Sequence, residues 1–245
     1  MNYEDQISTL QKYVDEAESI VFFGGAGVST ESGVPDFRSV DGLYNQKYKY
    51  PPEQILSHTF YMYQKEEFYR YYFDKLLVPG IRPNKAHYKL AEMEKRGKLK
   101  AVITQNIDGL HQLAGSKEVY ELHGSVHRNY CERCHSFYDG EYMIAHKDEL
   151  VPKCSKCGGD IKPDVVLYEE GLDNETITKS IMAISQADLL IVGGTSLTVY
   201  PAAGFLDYFR GRHMVLINKS ETSRDSMADL IIKEAIGETL DRIKV

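Results

Sequence analysis

No run of consecutive apolar residues in this 245-residue chain approaches the roughly 20 needed to cross a bilayer. The opening segment, MNYEDQISTLQKYVDEAESI, is amphipathic and acidic, without the cationic start and apolar core of a signal peptide. Positive charge is also short: 29 Lys and Arg stand against 36 Asp and Glu, a formal net charge of −7. That balance argues against a nucleic-acid binder held by overall positive charge, while leaving a local basic face open. There is no internal repeat and no low-complexity segment. These absences lead to the expectation of a soluble cytoplasmic protein with no membrane partner. Its length suits one large domain, or a large and a small one, with enough apolar content to bury a core. Cysteine is scarce as well, and its 4 copies all fall into two pairs, Cys131/Cys134 and Cys154/Cys157. In a reducing compartment such grouping favours a metal over disulfides.

What is present is an alternation of short apolar runs with amphipathic stretches. The spacing predicts a helix over Ile7–Glu18, with Ile7, Leu10 and Val14 on one face. Strands are expected in SIVFFGG, at Ala101–Thr104, Val119–Leu122 and Leu189–Val192, and in HMVLINKS and ADLIIKE. Helices are expected in NKAHYKLAEMEKRG, NETITKSIMAISQA, YPAAGFLDYFRG and the closing GETLDRIKV. The alternation implies an α/β fold with a doubly wound parallel sheet, in which ligands sit at the carboxyl ends of the strands. Two stretches interrupt it. Residues from about Val40 to Pro79 are tyrosine-rich and read as helical after Pro51-Pro52, and Val126 to Lys162 hold the cysteines. The expected division is a Rossmann-like domain from 1–39, 80–125 and 163–245, beside a small domain from the helical insertion 40–79 and a ribbon at 126–162.

The cysteines read Cys-x2-Cys, nineteen residues (135–153), then Cys-x2-Cys followed by Gly158-Gly159. Two thiolates from each tight turn can complete a tetrahedron around Zn²⁺, and this spacing lies in the zinc-ribbon range. Four thiolates leave the ion no open position, so such a metal is structural. Cys131-Glu132-Arg133-Cys134-His135 also matches a covalent haem attachment run. That chemistry needs an exported protein and leaves Cys154 and Cys157 without a role. A redox pair explains two pairs at ribbon spacing less well than one metal does.

Polar residues collect where strands should end. GGAGVSTESGVPDFRS follows the first, so Gly25, Ala26 and Gly27 can form a phosphate-type turn at a helix N-terminus; a tight turn in an α/β core would look the same. Gly33 and Pro35 break any long helix, which puts Asp36, Phe37 and Arg38 on a loop. In TQNIDGLH, the amides of Gln105 and Asn106 and the carboxylate of Asp108 suit ribose hydroxyls, a carboxamide or a water. They equally suit an Asx turn capping the next helix. His123 sits at a strand end before Gly124, where an imidazole can act as a base near neutral pH. Gly194, Thr195 and Ser196 form a second glycine turn suited to phosphate oxygens, and Asn218 ends a further strand. The dehydrogenase fingerprint is missing, because there is no third glycine near Thr30 and no acid some twenty residues on.

In order and spacing, GAGVSTESGVPDFRS, TQNIDGLH, HG, the two Cys-x2-Cys pairs, KPDVVLYEE and GTSL resemble the sirtuins, the NAD-dependent protein deacylases. The overall pattern is most similar to compact bacterial members, and it runs from about Ile20 to Ile236. The resemblance implies a Rossmann-like domain and a small domain, with NAD and an acyl-lysine peptide meeting in the cleft between them. It implies attack of the acyl-lysine amide oxygen on the nicotinamide ribose, release of nicotinamide, and formation of O-acyl-ADP-ribose. By position, His123 is the general base and Asn106 joins it in catalysis. Ala26, Thr30, Phe37 and Arg38 line the NAD loop with Asp36, and Phe37 shields the reactive ribose. Gln105 and Asn106 touch the ribose side, while Ile107 and Asp108 form the nicotinamide pocket. Thr195, Ser196 and Asn218 hold the rest of the dinucleotide, with Ile236 on its adenine side. Val166, Leu167 and Tyr168 are expected to pair with the substrate backbone as an added strand.

Members that prefer acidic acyl groups carry a Tyr and, three residues on, an Arg in the helical insertion. Here Tyr69 is followed by Tyr72 at that spacing, and Arg70 lies about 100° round a helix from Tyr69. Without that guanidinium a neutral acyl group such as acetyl is expected. The expected cofactors are NAD as co-substrate and one structural Zn²⁺. The expected partners are acyl-lysine proteins or peptides, with the chain acting as a monomer. The alternative within NAD chemistry is mono-ADP-ribosyl transfer to protein, which the intact His123, the ribbon and KPDVVLYEE make less favourable.

Overall fold

In the computed structural model, which describes residues 1–37, 42–43 and 48–245, the chain opens with helix α1, Tyr3–Glu16. Its first turn begins before the predicted Ile7 because the Asn2 side chain accepts from the Asp5 N–H and caps it. Strand β1, Ile20–Gly24, is buried along its whole length. The helical insertion follows as α2 (Pro52–Ile55), α3 (His58–Tyr63) and α4 (Lys65–Tyr71), continued by a π-wound turn over Tyr72–Leu76. Helix α5, Lys85–Lys95, starts at Asn84 and leads into β2, Leu99–Thr104. Short α6, Leu110–Ala114, precedes β3, Val119–Glu121. The ribbon consists of β4 (Gly124–Cys131), β5 (Phe137–Tyr138), α7 (Gly140–Ala145) and β6 (Ile161–Val165). Then come α8 (Asn174–Gln186), β7 (Leu189–Gly193), β8 (His213–Ile217), β9 (Leu230–Ile232) and α9 (Ile236–Asp241).

Six strands form one sheet in the order β3-β2-β1-β7-β8-β9, all parallel. Counted within that sheet the order is the doubly wound one, with its direction reversing beside β1. Register does the positioning. Gly24 is level with Thr104 on one side and Gly193 on the other, Gly193 is level with Ile217, and Thr104 with Glu121. Everything that follows these residues therefore emerges along one edge. One face buries a core of α1, α5 and α9 residues against Ile20, Phe22 and Val102. The other packs Ile184, Phe205 and Leu206 on Val21, Phe23 and Val192.

The second sheet is antiparallel, β5-β4-β6. It shares a third core with the helical insertion, rich in tyrosine and phenylalanine. Tyr69 Oη donates to the Ile161 carbonyl, and Lys65 Nζ bridges Glu132 (2.7 Å) and Asp160 (2.8 Å). The insertion and the ribbon, far apart in sequence, thus make one packed unit.

Two local expectations are modified. YPAAGFLDYFRG winds as a 3₁₀ helix, Ala202–Tyr208, and two one-turn 3₁₀ helices, Ala26–Val28 and Thr30–Ser32, replace an α-helix after β1. The cause at the second place is visible in the hydrogen bonds. The Gly27 N–H bonds the Gly194 carbonyl across the sheet edge (2.8 Å), and Ser29 N–H reaches back only to Ala26 O (3.0 Å).

Candidate active site and metal centre

The two glycine turns touch backbone to backbone. Gly25 N–H donates to Gly193 O (3.3 Å) and Gly27 N–H to Gly194 O (2.8 Å). A Cβ on Gly27 would stand 2.8 Å from Gly194 Cα, and one on Gly194 (φ +58°) 2.4 Å from the Val28 nitrogen. Only glycine allows this approach, which leaves a cradle at the switch point bounded by Ala26 and Thr195. Thr195 is buried and its Oγ1 accepts from Gln105 Nε2 (3.0 Å), joining the ends of β2 and β7. Beneath, Ile236 is buried at the start of α9, its Cδ1 filling the space a side chain on Gly193 would need. Thr30 is exposed with its Oγ1 donating to Gly27 O (3.0 Å), and Ser196 Oγ pairs with Thr198 Oγ1 (2.9 Å). Half-buried Asn218 donates from Nδ2 to Ser220 O (2.7 Å).

A second cluster is organised by Ser29, which is buried between β1 and β2. Its Oγ donates to Asp108 Oδ2 (2.6 Å) and accepts from Asn106 Nδ2 (3.0 Å). Asp108 Oδ1 accepts the Leu110 N–H (2.9 Å), so the same carboxylate closes the Asx turn at the start of α6. The Asx-turn reading of TQNIDGLH holds. Ile107 and Phe37, each partly buried, pack against the small-domain core, which puts them at the seam between the two sheets. Asp36 O accepts the Leu43 N–H (2.8 Å), and Arg38 lies outside the described residues.

His123 follows β3 and is half-buried. Its Nδ1 lies 2.9 Å from the Gln105 carbonyl. A carbonyl only accepts, so Nδ1 carries the proton and Nε2 keeps its lone pair. Burial pushes the imidazole below its usual value, and the Gln105 contact opposes this. The next residue must be glycine: at Gly124 (φ +76°) a Cβ would lie 1.9 Å from the Asp164 carbonyl of the adjacent strand. The run after β6 is tied on both sides. Val166 N–H donates to His123 O (3.0 Å), Tyr168 N–H to Leu56 O (2.9 Å), and His58 N–H to Tyr168 O (2.9 Å). Leu167 N–H donates to Glu170 Oε2 (2.9 Å).

The four cysteine sulfurs lie within 4.8 Å of one another. Cys131 and Cys157 Sγ are 3.4 Å apart, and Cys134 and Cys154 Sγ 3.6 Å. Zn–S bonds of about 2.3 Å set tetrahedral sulfurs about 3.8 Å apart. The Arg133 and Cys134 N–H groups point at Cys131 Sγ (3.4 and 3.5 Å), and Tyr138 Oη donates to Cys154 Sγ (3.0 Å). A donor set of four sulfurs with N–H and O–H support fits Zn²⁺. His135 has φ +56° in the first knuckle, as Gly158 has φ +71° in the second, and its N–H closes on Cys131 O (2.9 Å). Its exposed side chain belongs to the turn, and the haem run has no counterpart in the geometry.

The Sir2 family model matches residues 25–201. An NAD-dependent protein deacetylase of Clostridium acetobutylicum is 59% identical over 241 residues, covering 98% of each chain. The chain belongs to the Sir2 family. A second Sir2-type relative, an NAD-dependent protein deacetylase of Clostridium perfringens, is 58% identical over 98% of this chain and 99% of its own. Among solved structures, a Sir2 with a p53 peptide and NAD⁺ aligns with a TM-score of 0.86 at 38% identity, covering 96% of each chain. A Sir2 with a deacetylated p53 peptide and 3′-O-acetyl ADP ribose aligns at 0.88 and 37% identity, again over 96% of each.

Within this Sir2 chain, several contributors have no sequence signal of their own. Ser29 is one serine of a polar loop until the fold seats it between Asn106 and Asp108. Asn84 caps α5, and its Nδ2 also donates to Val28 O (2.7 Å) and Ser32 Oγ (3.0 Å) in the first glycine loop. Glu31 accepts the Gly237 N–H (2.8 Å) from α9. No helix among the described residues is long and apolar enough to cross a membrane.

Proposed function

We propose that the chain is an NAD-dependent protein-lysine deacylase acting on neutral acyl groups, acetyl foremost. The observation that carries this is His123: its Nδ1–H is committed to Gln105 O, so Nε2 keeps its lone pair and can serve as a neutral base. NAD, as co-substrate, would lie across the turns of Gly25, Ala26, Gly27, Gly194 and Thr195, with Thr30 on the NAD loop and Ser196, Asn218 and Ile236 around the rest of the dinucleotide. It supplies an electrophilic ribose carbon whose leaving group is nicotinamide. Asp108, its oxygens fixed by Ser29 and Leu110, would receive the nicotinamide carboxamide beside Ile107. Phe37, with Asp36 and Arg38 on the same loop, would exclude water from the ribose, where a dry pocket favours developing positive charge against a fixed carboxylate. His123 Nε2 takes a proton from a ribose hydroxyl, and Gln105 and Asn106 orient that ribose.

The acyl-lysine peptide would enter beside Val166, Leu167 and Tyr168. Their amides are engaged within the chain, so strand addition there requires the peptide to exchange with the contacts to Leu56 and His58. The neutral-acyl preference rests on Tyr72, buried among Phe68, Tyr69 and Phe73, while Arg70 lines a separate cleft with Asp74, Lys147 and Asp148. Cys131, Cys134, Cys154 and Cys157 would hold one Zn²⁺, which fixes the ribbon and takes no chemical part. The domain division is 1–39, 80–125 and 163–245 against 40–79 and 126–162. A cytoplasmic monomer fits four unpaired thiols grouped for a metal.

The test is mass spectrometry of an acetyl-lysine peptide incubated with NAD. Loss of the acetyl group with stoichiometric nicotinamide and O-acetyl-ADP-ribose is the expected result. ADP-ribose added to protein would support the transferase reading instead, and no turnover on any acyl peptide would sink both.

A further inference from the structure

Beside the turn that Asp108 closes at the start of α6 lies a buried polar pair with no assigned role. His87, in the first turn of α5, and His111, in the first turn of α6, are 0% and 1% exposed, with ring centroids 4.7 Å apart. Neither ring is satisfied. His87 Nδ1 accepts the Asn84 N–H (3.2 Å), which fixes the proton on Nε2, and Nε2 has no hydrogen-bond partner. Both nitrogens of His111 also lack one. Burial pushes both imidazoles well below their ordinary range, so both are neutral, and Asp108 is the one charge that pulls His87 the other way.

Buried donors and acceptors left unmet are costly, and native proteins meet them with ordered water. One water can meet two of the three unpartnered nitrogens. His87 Nε2–H is a donor, His111 offers an acceptor nitrogen, and Asp108 has lone pairs to spare. A carboxylate has about four acceptor positions, and Ser29 Oγ and Leu110 N–H occupy two. His111 stands three residues after Asp108, across the turn that its carboxylate closes. Helix α5 is already tied to the site through Asn84, which donates to Val28 O and Ser32 Oγ.

We propose that His87 and His111 hold a buried water that donates to the Asp108 carboxylate, making both histidines positioning residues of the nicotinamide pocket. This rests on the reading that Asp108 receives the nicotinamide carboxamide. The water restrains the carboxylate from the side opposite the ligand, and leaves one acceptor position facing the pocket.

The experiment compares the double variant His87→Leu/His111→Phe with the unmodified enzyme, measuring the nicotinamide inhibition constant and the affinity for ADP-ribose, which lacks the nicotinamide ring. The nicotinamide constant is expected to rise about fivefold to tenfold, the scale of one ordinary hydrogen bond, because the water acts on the ligand only through Asp108, while ADP-ribose affinity moves less than about twofold. The polar pair His87→Gln/His111→Gln should restore most of the loss. If the histidines only fill space, the apolar pair is neutral or stabilising and the nicotinamide constant stays put, which overturns the proposal. Equal loss of both affinities overturns it as well. An unchanged nicotinamide constant in Asp108→Asn means instead that the pocket itself was misassigned, and the proposal falls with it. Should the apolar pair not fold, the unmodified protein decides: the imidazole ¹⁵N resonances of His87 and His111 must shift on adding nicotinamide, and unshifted resonances overturn the proposal.

Discussion

The imidazole of His123 is held by one hydrogen bond, from Nδ1–H to the Gln105 carbonyl, and that bond decides which nitrogen can take a proton. His123→Ala is expected to lower the deacetylation rate by about 10²- to 10⁴-fold, the usual worth of a positioned base. Binding of NAD, measured by titration calorimetry, should persist; retained activity would refute the assignment. The pH dependence follows from the same burial. A base whose value lies below the ordinary 6.5 stays neutral into mildly acidic solution, so the acid limb of kcat/KM should fall below that pH. At this scale the residue types were readable: an imidazole before a glycine at a strand end, two amides and a carboxylate in one loop. Their partners were not. Ser29, Asn84 and Glu31 come from other parts of the chain, and no local pattern says that a serine will lie between Asn106 and Asp108.

Elements divide by whether their reason for existing is local. The strand Ile20–Gly24 and the helix Lys85–Lys95 formed where an apolar run and an amphipathic stretch indicated them. The 3₁₀ turns after β1 did not, because Gly27 spends its N–H on a carbonyl from a turn about 170 residues away in the chain. The ribbon lies between these cases. Its ligands were legible as spacing, and the sulfur positions agree with a tetrahedron. Among the described residues its core is shared with the helical insertion, so a bound Zn²⁺ should stabilise both. The expected metal content is close to one Zn²⁺ per chain by atomic emission. Cys154→Ser should abolish it and cost several kcal/mol, a part of the roughly 10–16 kcal/mol that structural Zn²⁺ contributes to folding small metal domains. A separate early thermal transition, with the far-UV signal of the parallel sheet retained beyond it, would report this. An unchanged melt would mean that the ribbon stands without metal.

On the scale of the whole molecule, buried neutral histidines make the fold acid-sensitive. His87 and His111 are held below their ordinary value of 6.5 by burial. Below that pH the unfolded chain takes up protons that the folded chain refuses. Stability is therefore full above about pH 6.5 and is lost as pH falls toward the folded-state values, by up to about 1.4 kcal/mol per pH unit for each histidine. Urea midpoints between pH 7 and 5 should drop accordingly, and His87→Leu/His111→Phe should flatten the slope. Equal slopes would show that other groups govern acid unfolding.

The sequence by itself determined the class of fold, because a parallel doubly wound sheet follows from the order of apolar strands and helices. It also set the four cysteines at metal-ligand spacing and named the candidate reactive side chains, since those depend on patterns within short stretches of chain. Tertiary structure alone decided which groups meet. Strand register brings Gly24, Thr104 and Gly193 level, and only that alignment sets Gln105 against both Thr195 and His123. It also decided which contacts, through Lys65 and Tyr69, join the helical insertion to the ribbon. The physical reason is the range of the interactions. Propensity, capping and ligand spacing act over a few residues, whereas a hydrogen bond across a sheet edge depends on how the whole chain has packed.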